Sequence, residues 1–524
     1  MTDRDSHWNP ELSELHRRQA DAHALGGADK VARQHASGRR TVRERIDQLV
    51  DPGSFHEIGA LAGTPEYDAD GRLVHLTPSN CVMGRARIDG RPVVVSGDDF
   101  TLRGGSAEAT VWEKNAYPEQ MAGSLRLPIV RLIEGSGGGG SVRTIEQSGR
   151  ANLPGGLIQS SAHHVIFANL ATVPVVALAL GPVAGLGAAR LAASHYSLMV
   201  RGTSSVFVAG PPVVAALGDP VTREELGGAD IQLAAGAVDD AVQSEAQAFE
   251  YTRRFLSYLP SSVHELPART APAADAQRQD EALFSIIPRN PRTAYRMRRI
   301  IDMVVDAGSF FELAPRYGRS LITGFARLDG WPVALMASDP YHDAGTWTAQ
   351  TCQKIVRFVD MAQTFHLPVV YLADCPGFAV GRQAERDGTI RHGVRAMAAI
   401  NQSTVPWCSV IVRNAFGVAG GAHRPVGRYT VRYAWLSARW GSLPLAGGIE
   451  AAYAAELDAA PDRAARLREI EARLEALRSP LRTAEVFSIE EIIDPRRTRP
   501  LLCEFANLAG NLRNTGLSTF TMRP

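Results

Sequence analysis

The chain has 524 residues, room for two to four domains at about 100–200 residues each. Apolar residues make up 45% and charged residues 21%, which excludes a disordered chain, a collagen and a coiled-coil rod. Fifty-six basic residues against fifty-five acidic ones leave a net charge of +1, so no bulk field draws nucleic acid or an anionic membrane, and any anionic ligand needs a local site.

The first residues, MTDRDSHWNPELSEL, are polar and acidic and lack the apolar stretch of a signal peptide. The string Arg45-Ile46-Asp47 through Asp51-Pro52-Gly53-Ser54-Phe55, with Glu57, returns as Ile300-Ile301-Asp302 through Asp306-Ala307-Gly308-Ser309-Phe310, with Glu312, 255 residues later. Gly84-Arg85-Ala86-Arg87-Ile88-Asp89-Gly90-Arg91-Pro92-Val93 returns as Gly324-Phe325-Ala326-Arg327-Leu328-Asp329-Gly330-Trp331-Pro332-Val333 at an offset of 240. Matched blocks in one order imply duplicated domains, expected over 1–262 and 263–524. In the first half, 91–96, 127–133 and 173–180 read as buried strands. The uncharged run 173–189 is shorter than the roughly 20 residues of a spanning helix and is broken by Pro174, Gly181, Pro182, Gly185 and Gly187. It reads as a strand, a tight turn and a helix start. Residues 259–292, rich in Pro, Ala and charge, read as a linker. Strands at 332–336, 368–372 and 405–412 repeat the plan, and strands separated by helical segments imply βαβ units in largely parallel sheets. Leu467, Ile470, Leu474 and Leu477 share one face of a helix between Pro461 and Pro480. The five cysteines form no CxxC pair, which suggests a reducing, cytoplasmic setting rather than a disulfide framework.

Three clusters of small residues follow strands: 135–140, 184–188 and 419–422. A turn of small residues entering a helix presents unpaired N–H groups that can bind phosphate or stabilise a developing oxyanion. No G-x-x-x-x-G-K-[ST] string is present, and the loose G-x-G-x-x-G match at 135–140 is one that almost any polyglycine would make. The side chains of adjacent His163 and His164 diverge and have no carboxylate at ligand spacing, so no metal is expected. Ser204-Ser205 and Ser338-Asp339 lack a nucleophile arrangement. Backbone donors without a side-chain base suit a chemistry whose base comes from the cofactor.

From about Gln34 to Leu508 the sequence resembles the carboxyltransferase (β) subunits of biotin-dependent acyl-CoA carboxylases. The matching strings include Arg43-Glu44-Arg45-Ile46, Asp51-Pro52-Gly53-Ser54-Phe55, Asp99-Phe100-Thr101, Gly104-Gly105-Ser106, Ser136-Gly137-Gly138 and Ala184-Gly185. They continue through Glu225-Leu226-Gly227-Gly228-Ala229, Asp374-Cys375-Pro376-Gly377-Phe378, Gly420-Gly421-Ala422 and Ile493-Asp494-Pro495-Arg496. The resemblance implies an α/β chain of two duplicated crotonase-like ββα-superhelix domains, assembled as a homohexamer. It implies a ligase- or transferase-class activity that moves CO2 from carboxybiotin to the α carbon of an acyl-CoA. The biotin ureido nitrogen serves as base, and backbone N–H groups hold the thioester enolate and the ureido oxygen. By resemblance the donors are Gly185 and Leu186 in the first half and Gly421 and Ala422 in the second. Gly137, Gly138, Gly139 and Arg424 are expected at the substrate, and Arg39, Arg40, Arg43 and Lys114 at the CoA phosphates. Acyl-CoA is expected on the first domain and biotin on the second, with the full site formed between two chains.

Departures cluster at this chemistry. Gly135 stands where the family has Asp, Leu186 replaces a Gly, and Ala419 and His423 replace two Tyr. Arg424 occupies a position that helps set acyl selectivity. The pocket is then rebuilt for an unusual acyl group, or the chain is an altered acyl-CoA-binding or structural subunit; the same half-reactions run backwards describe a decarboxylase. The 524 residues contain no Met-Lys-Met biotinylation string and no ATP-grasp region. Biotin loading is therefore expected on a separate biotin carboxylase/biotin carrier (α) subunit. The purified chain is expected to fix no bicarbonate with ATP and acyl-CoA; ATP-dependent incorporation of labelled bicarbonate by the chain alone would contradict this.

Overall fold

Segments too apolar to face water on either side form the centre of two sheets. Val93, Val94, Val95, Val175, Val176, Ala177, Leu178 and Ala179 are fully buried, as are Val333, Ala334, Leu335, Val369, Val370 and Val410. Strands buried on both faces belong to sheets covered by crossover helices. The computed structural model describes residues 7–136, 145, 146, 148–151, 162–442, 445–519 and 523. The chain divides into two compact units, Met1–Ser257 and Tyr258–Pro524.

In the first unit the strand order is His56–Glu57, Cys81–Ile88, Arg91–Asp98, Ile129–Gly135, Val175–Ala184, Tyr196–Val200 and Asp240–Val242, with Ser205–Phe207 paired beside Val175–Ala184. The second unit repeats it with Phe311–Leu313, Leu321–Leu328, Trp331–Ser338, Val369–Cys375, Trp407–Phe416, Val431–Trp435 and Glu491–Ile493, with Arg439–Gly441 beside Trp407–Phe416. In each sheet the first three strands are antiparallel and the rest parallel. This is the duplicated α/β, crotonase-like plan that the sequence implies.

The repeated sequence blocks build one device twice. Asp89 and Gly90 have φ of 51° and 77°, and Asp329 and Gly330 have 51° and 79°, the left-handed pair that a two-residue hairpin needs. Asp51 caps the first hairpin, accepting from Asp89 N at 2.9 Å and Gly90 N at 2.7 Å. Asp306 caps the second, accepting from Asp329 N at 3.1 Å and Gly330 N at 2.8 Å. Arg43 pairs with Glu57 as Arg298 pairs with Glu312.

Residues 259–292 are not a free linker. Thr270 N donates to Gly330 O at 3.0 Å, Ala273 N donates to Asp329 Oδ1 at 3.0 Å, and Leu283 is buried in the second unit's core. Apart from one 3-10 turn at Glu281–Phe284 the segment has no helix or strand, but its backbone groups still find partners on the Asp329-Gly330 hairpin. The helix Arg463–Leu477 turns Ile470, Leu467 and Leu474 onto Ile449 and Leu457 and leaves Leu477 exposed. The five cysteines are all free and buried. Among the described residues no helix is long and apolar enough to cross a membrane.

Asp306 also accepts from Arg499 Nη2 at 2.9 Å, and Arg499 is fully buried. Asp51 has no such burden, so the two equivalent caps should differ. Asp306→Ala is expected to cost about 3 kcal/mol because it strips a partner from a buried guanidinium, and Asp51→Ala about 1 kcal/mol. Urea unfolding of both variants checks this; equal losses would contradict it.

Candidate active site

The two long central strands end alike. Val183 sits beside Gly135 and Ala184 beside Phe207; Ala415 sits beside Cys375 and Phe416 beside Gly441. Gly185 and Gly417 therefore occupy the same place in the two sheets, immediately after the strand. Their φ values of 57° and 61° match, on the positive side that glycine adopts far more readily than an L-residue. Each glycine turns the chain into a short helix, Leu186–Ala192 or Gly417–Gly421, whose first N–H groups have no acceptor within the helix.

At the first turn, Gly185 N donates to Phe207 O and Val208 O at 3.3 and 3.2 Å, and Gly187 N to Ser136 O at 3.0 Å. Leu186, the first helical residue, lies between them. Gly135 has φ of 92°, and a Cβ there would meet Gly104 O at 2.7 Å and Gly105 Cα at 3.0 Å. On this backbone only glycine fits the approach. Gly137, Gly138 and Gly139 lie outside the described residues.

At the second turn, the donors expected from sequence stand one helical turn further on. Gly421 is the last residue of its helix, and Ala422 N donates to Val418 O and Ala419 O at 3.2 and 3.1 Å. The residues equivalent to Gly185 and Leu186 are Gly417 and Val418, which sequence reasoning missed. The signal was a glycine directly after a buried strand, outshone by the adjacent Gly420-Gly421 pair. A cavity of about 460 Å³ opens beside this turn, lined by Gly417, Val418, Gly421, His423, Arg432 and Trp440 among others.

Behind each turn lies a buried acid. Glu134 is fully buried; Arg45 Nη1 and Arg39 Nη1 donate to it, as does Gln34 Nε2 at 3.0 Å. Asp374 is also fully buried and accepts from Arg413 Nε at 3.0 Å, Asn414 N at 3.0 Å, Asn414 Nδ2 at 2.7 Å and Tyr295 OH at 2.8 Å. Burial raises the Glu134 carboxyl, opposed by the guanidiniums of Arg45 and Arg39.

Of the cations expected at CoA, Arg39 is bound to Glu134 and Arg43 to Glu57 at 2.8 Å. Arg40 lies 3.5 Å from Glu245 with 40% of its side chain exposed. Lys114 is buried, and burial lowers its ammonium pKa. Arg424 is held by Thr430 Oγ1 at 2.9 Å and Glu490 at 3.1 Å and does not line the cavity. Among the described residues no group of three or more His, Cys, Asp or Glu side chains is placed to hold a metal ion.

Two sheets of one plan, each closing on a glycine-led turn, make up a duplicated crotonase-like fold. Residues 33–517 match the carboxyl transferase domain family. The chain is 33% identical over 497 residues to the propionyl-CoA carboxylase carboxyltransferase subunit of Haloferax mediterranei, covering 93% of this chain and 94% of that one. It is 34% identical over 495 residues to the propionyl-CoA carboxylase beta chain of Cereibacter sphaeroides, with 93% and 94% covered. A crystal structure of the transcarboxylase 12S hexamer, with methylmalonyl-coenzyme A bound, superposes with a TM-score of 0.85 at 28% identity over 99% of this chain and 98% of that one. The chain belongs to this family, as a carboxyltransferase subunit of the biotin-dependent acyl-CoA carboxylase type.

His423, beside the second turn, is buried, with Nδ1 2.8 Å from Gly420 O. A carbonyl only accepts, so Nδ1 carries the proton, and burial pulls the imidazole from 6.5 down to about 4. Above pH 6.5 folded and unfolded states are both neutral. As pH falls from 6.5 toward 4 the unfolded chain takes up a proton that the folded chain refuses, and about 3 kcal/mol of stability is lost. His423→Asn, which keeps a donor for Gly420 O, should flatten this part of the stability profile. Urea unfolding at pH 7 and pH 5 checks it; an unchanged slope would contradict the assignment.

Proposed function

We propose that this chain transfers CO2 from carboxybiotin to the α carbon of an acyl-CoA, with the first-unit turn at Gly185-Leu186 facing the thioester enolate and the second-unit turn at Gly417-Val418 facing the biotin ureido oxygen. The observation that carries the reading is the matched pair of turns, placed identically after the two central strands. Carboxybiotin supplies the CO2 and then the base, so no side-chain base is required. The chain's own contribution is electrostatic: the Leu186 and Val418 N–H groups aimed where negative charge develops, held rigid by the strand in front and the buried acid behind, Gly185 N being already bonded to Phe207 O and Val208 O. Losing one such donor costs about 3–4 kcal/mol of barrier.

The second turn fits a ureido carbonyl because its cavity of about 460 Å³ lies open beside Gly417 and Val418. Substrate and donor selectivity fall to the side chains that face this cavity, His423 and Arg432, rather than to Arg424. Because Glu134 and Glu57 hold Arg39 and Arg43 at closer range, the CoA phosphates fall to Arg40, the most exposed of the three, whose pairing with Glu245 is longer at 3.5 Å. Biotin arrives on a carrier subunit, and six chains assemble, as the hexameric transcarboxylase 12S core does.

The test is transfer of labelled bicarbonate to a panel of acyl-CoAs by the chain reconstituted with a biotin carboxylase and biotinylated carrier. Gly417→Ala should lower kcat by about 100-fold with the fold intact, since its Cβ forces the turn off its geometry. Gly421→Ala, whose backbone needs no left-handed conformation and whose added Cβ meets nothing within 4 Å, should change kcat by less than about tenfold. The reverse order would return the oxyanion site to Gly421-Ala422, and no transfer to any acyl-CoA would favour the altered-subunit reading.

A further inference from the structure

The second unit contains a small polar pocket that carbon dioxide transfer does not use. Its volume is about 160 Å³, and its lining includes Gln363, His366, Thr404, Arg513, Thr515 and Ser518, with no Asp or Glu. Arg513 is 91% buried, leaving 9% exposed. Its Nε and Nη1 have no hydrogen-bond partner, and among the described residues its guanidinium has no ion pair. The guanidinium stacks 4.9 Å from the Trp331 ring centroid, and Arg269 lies over the same ring at 5.3 Å. A ring shared by two cations offsets only part of the cost of burying one. A buried charge without a counter-ion is among the costliest arrangements in a protein, and here the pocket supplies none.

The rest of the wall is prepared for an anion. Gln363 Nε2 donates to Thr404 Oγ1 at 2.7 Å, while its Oε1 accepts from Thr404 N at 2.7 Å. The hydroxyl of Thr404 has therefore accepted one bond and keeps its own proton to donate. Ser518 Oγ donates to Gln363 O at 3.0 Å and Gly516 N to Val263 O at 2.7 Å, pinning the segment that carries Arg513. His366 Nε2 lies 2.7 Å from Val263 O, so that nitrogen holds the proton.

We propose that this pocket binds a small oxyanion of the phosphate class, held by the Arg513 guanidinium and the Thr404 hydroxyl. A guanidinium presents paired N–H donors that match the oxygens of a phosphate. The volume holds one such group and is well below the 300–1,000 Å³ or so of a pocket for a larger ligand.

The test uses the full chain, titrated with inorganic phosphate at ionic strength held constant with potassium chloride, by calorimetry and thermal unfolding. Wild-type protein should bind one phosphate per chain and melt at a higher temperature with it. Arg513→Gln should weaken binding by at least about tenfold. In phosphate-free buffer the same variant should be at least as stable as wild type, because the uncompensated charge is gone. Thr404→Val keeps that charge and should weaken binding by about threefold, a second reading if Arg513→Gln does not fold. Absence of saturable binding, equal affinity in wild type and the folded variants, or acetate bound as tightly as phosphate would overturn the proposal.

Discussion

A carboxylate buried at the end of a central strand has to be matched bond for bond, and in both units that requirement organises what surrounds it. Asp374 takes four hydrogen bonds, two of them from Asn414 on the neighbouring strand. Those bonds tie the strand Val369–Cys375 to Trp407–Phe416 where their register shifts, three residues before Gly417. Glu134 does the equivalent with side chains from the N-terminal helices, Arg45 and Gln34. Removing one partner of such a buried pair typically costs about 3–5 kcal/mol, so the ends of these strands are among the least deformable parts of the backbone. A turn that must present N–H groups at fixed positions is best placed there.

The strands were legible in the sequence because they are buried on both faces and read as unbroken apolar runs. The duplication was legible because its repeated blocks carry capping residues as well as apolar ones, Asp51 and Asp306 above all. The hairpins joining Cys81–Ile88 to Arg91–Asp98 and Leu321–Leu328 to Trp331–Ser338 are announced by Asp89-Gly90 and Asp329-Gly330, a two-residue signal easily masked by the apolar runs that follow it. The segment 259–292 reads as a linker by composition because composition reports missing regular structure, not missing contacts.

The site was harder, for a physical reason. A run such as Gly420-Gly421-Ala422 stands out by composition, but what distinguishes the turn after each central strand is φ at one residue and its distance from the strand end. Gly417, followed by Val418 in the sequence as Gly185 is followed by Leu186, meets both conditions. In each turn the residue after the glycine is branched, Leu186 in the first unit and Val418 in the second. The fate of the arginines was also invisible, because a charge count cannot tell Arg43, bound to Glu57, from Arg513, which among the described residues stacks on Trp331 but has no ion pair.

The burial of every cysteine gives the molecule a use at the bench. Cys352 and Cys375 are pushed up to about 12 and Cys503 to about 11 by burial, and Cys81 and Cys408 are raised by the same cause. Thiolate, not thiol, reacts with electrophiles, so the native fold is a silent background for maleimide and iodoacetamide chemistry. A single cysteine introduced at an exposed position, such as Val380 on the loop after Asp374, would carry a fluorophore or spin label alone, without first stripping the five natural thiols from the core.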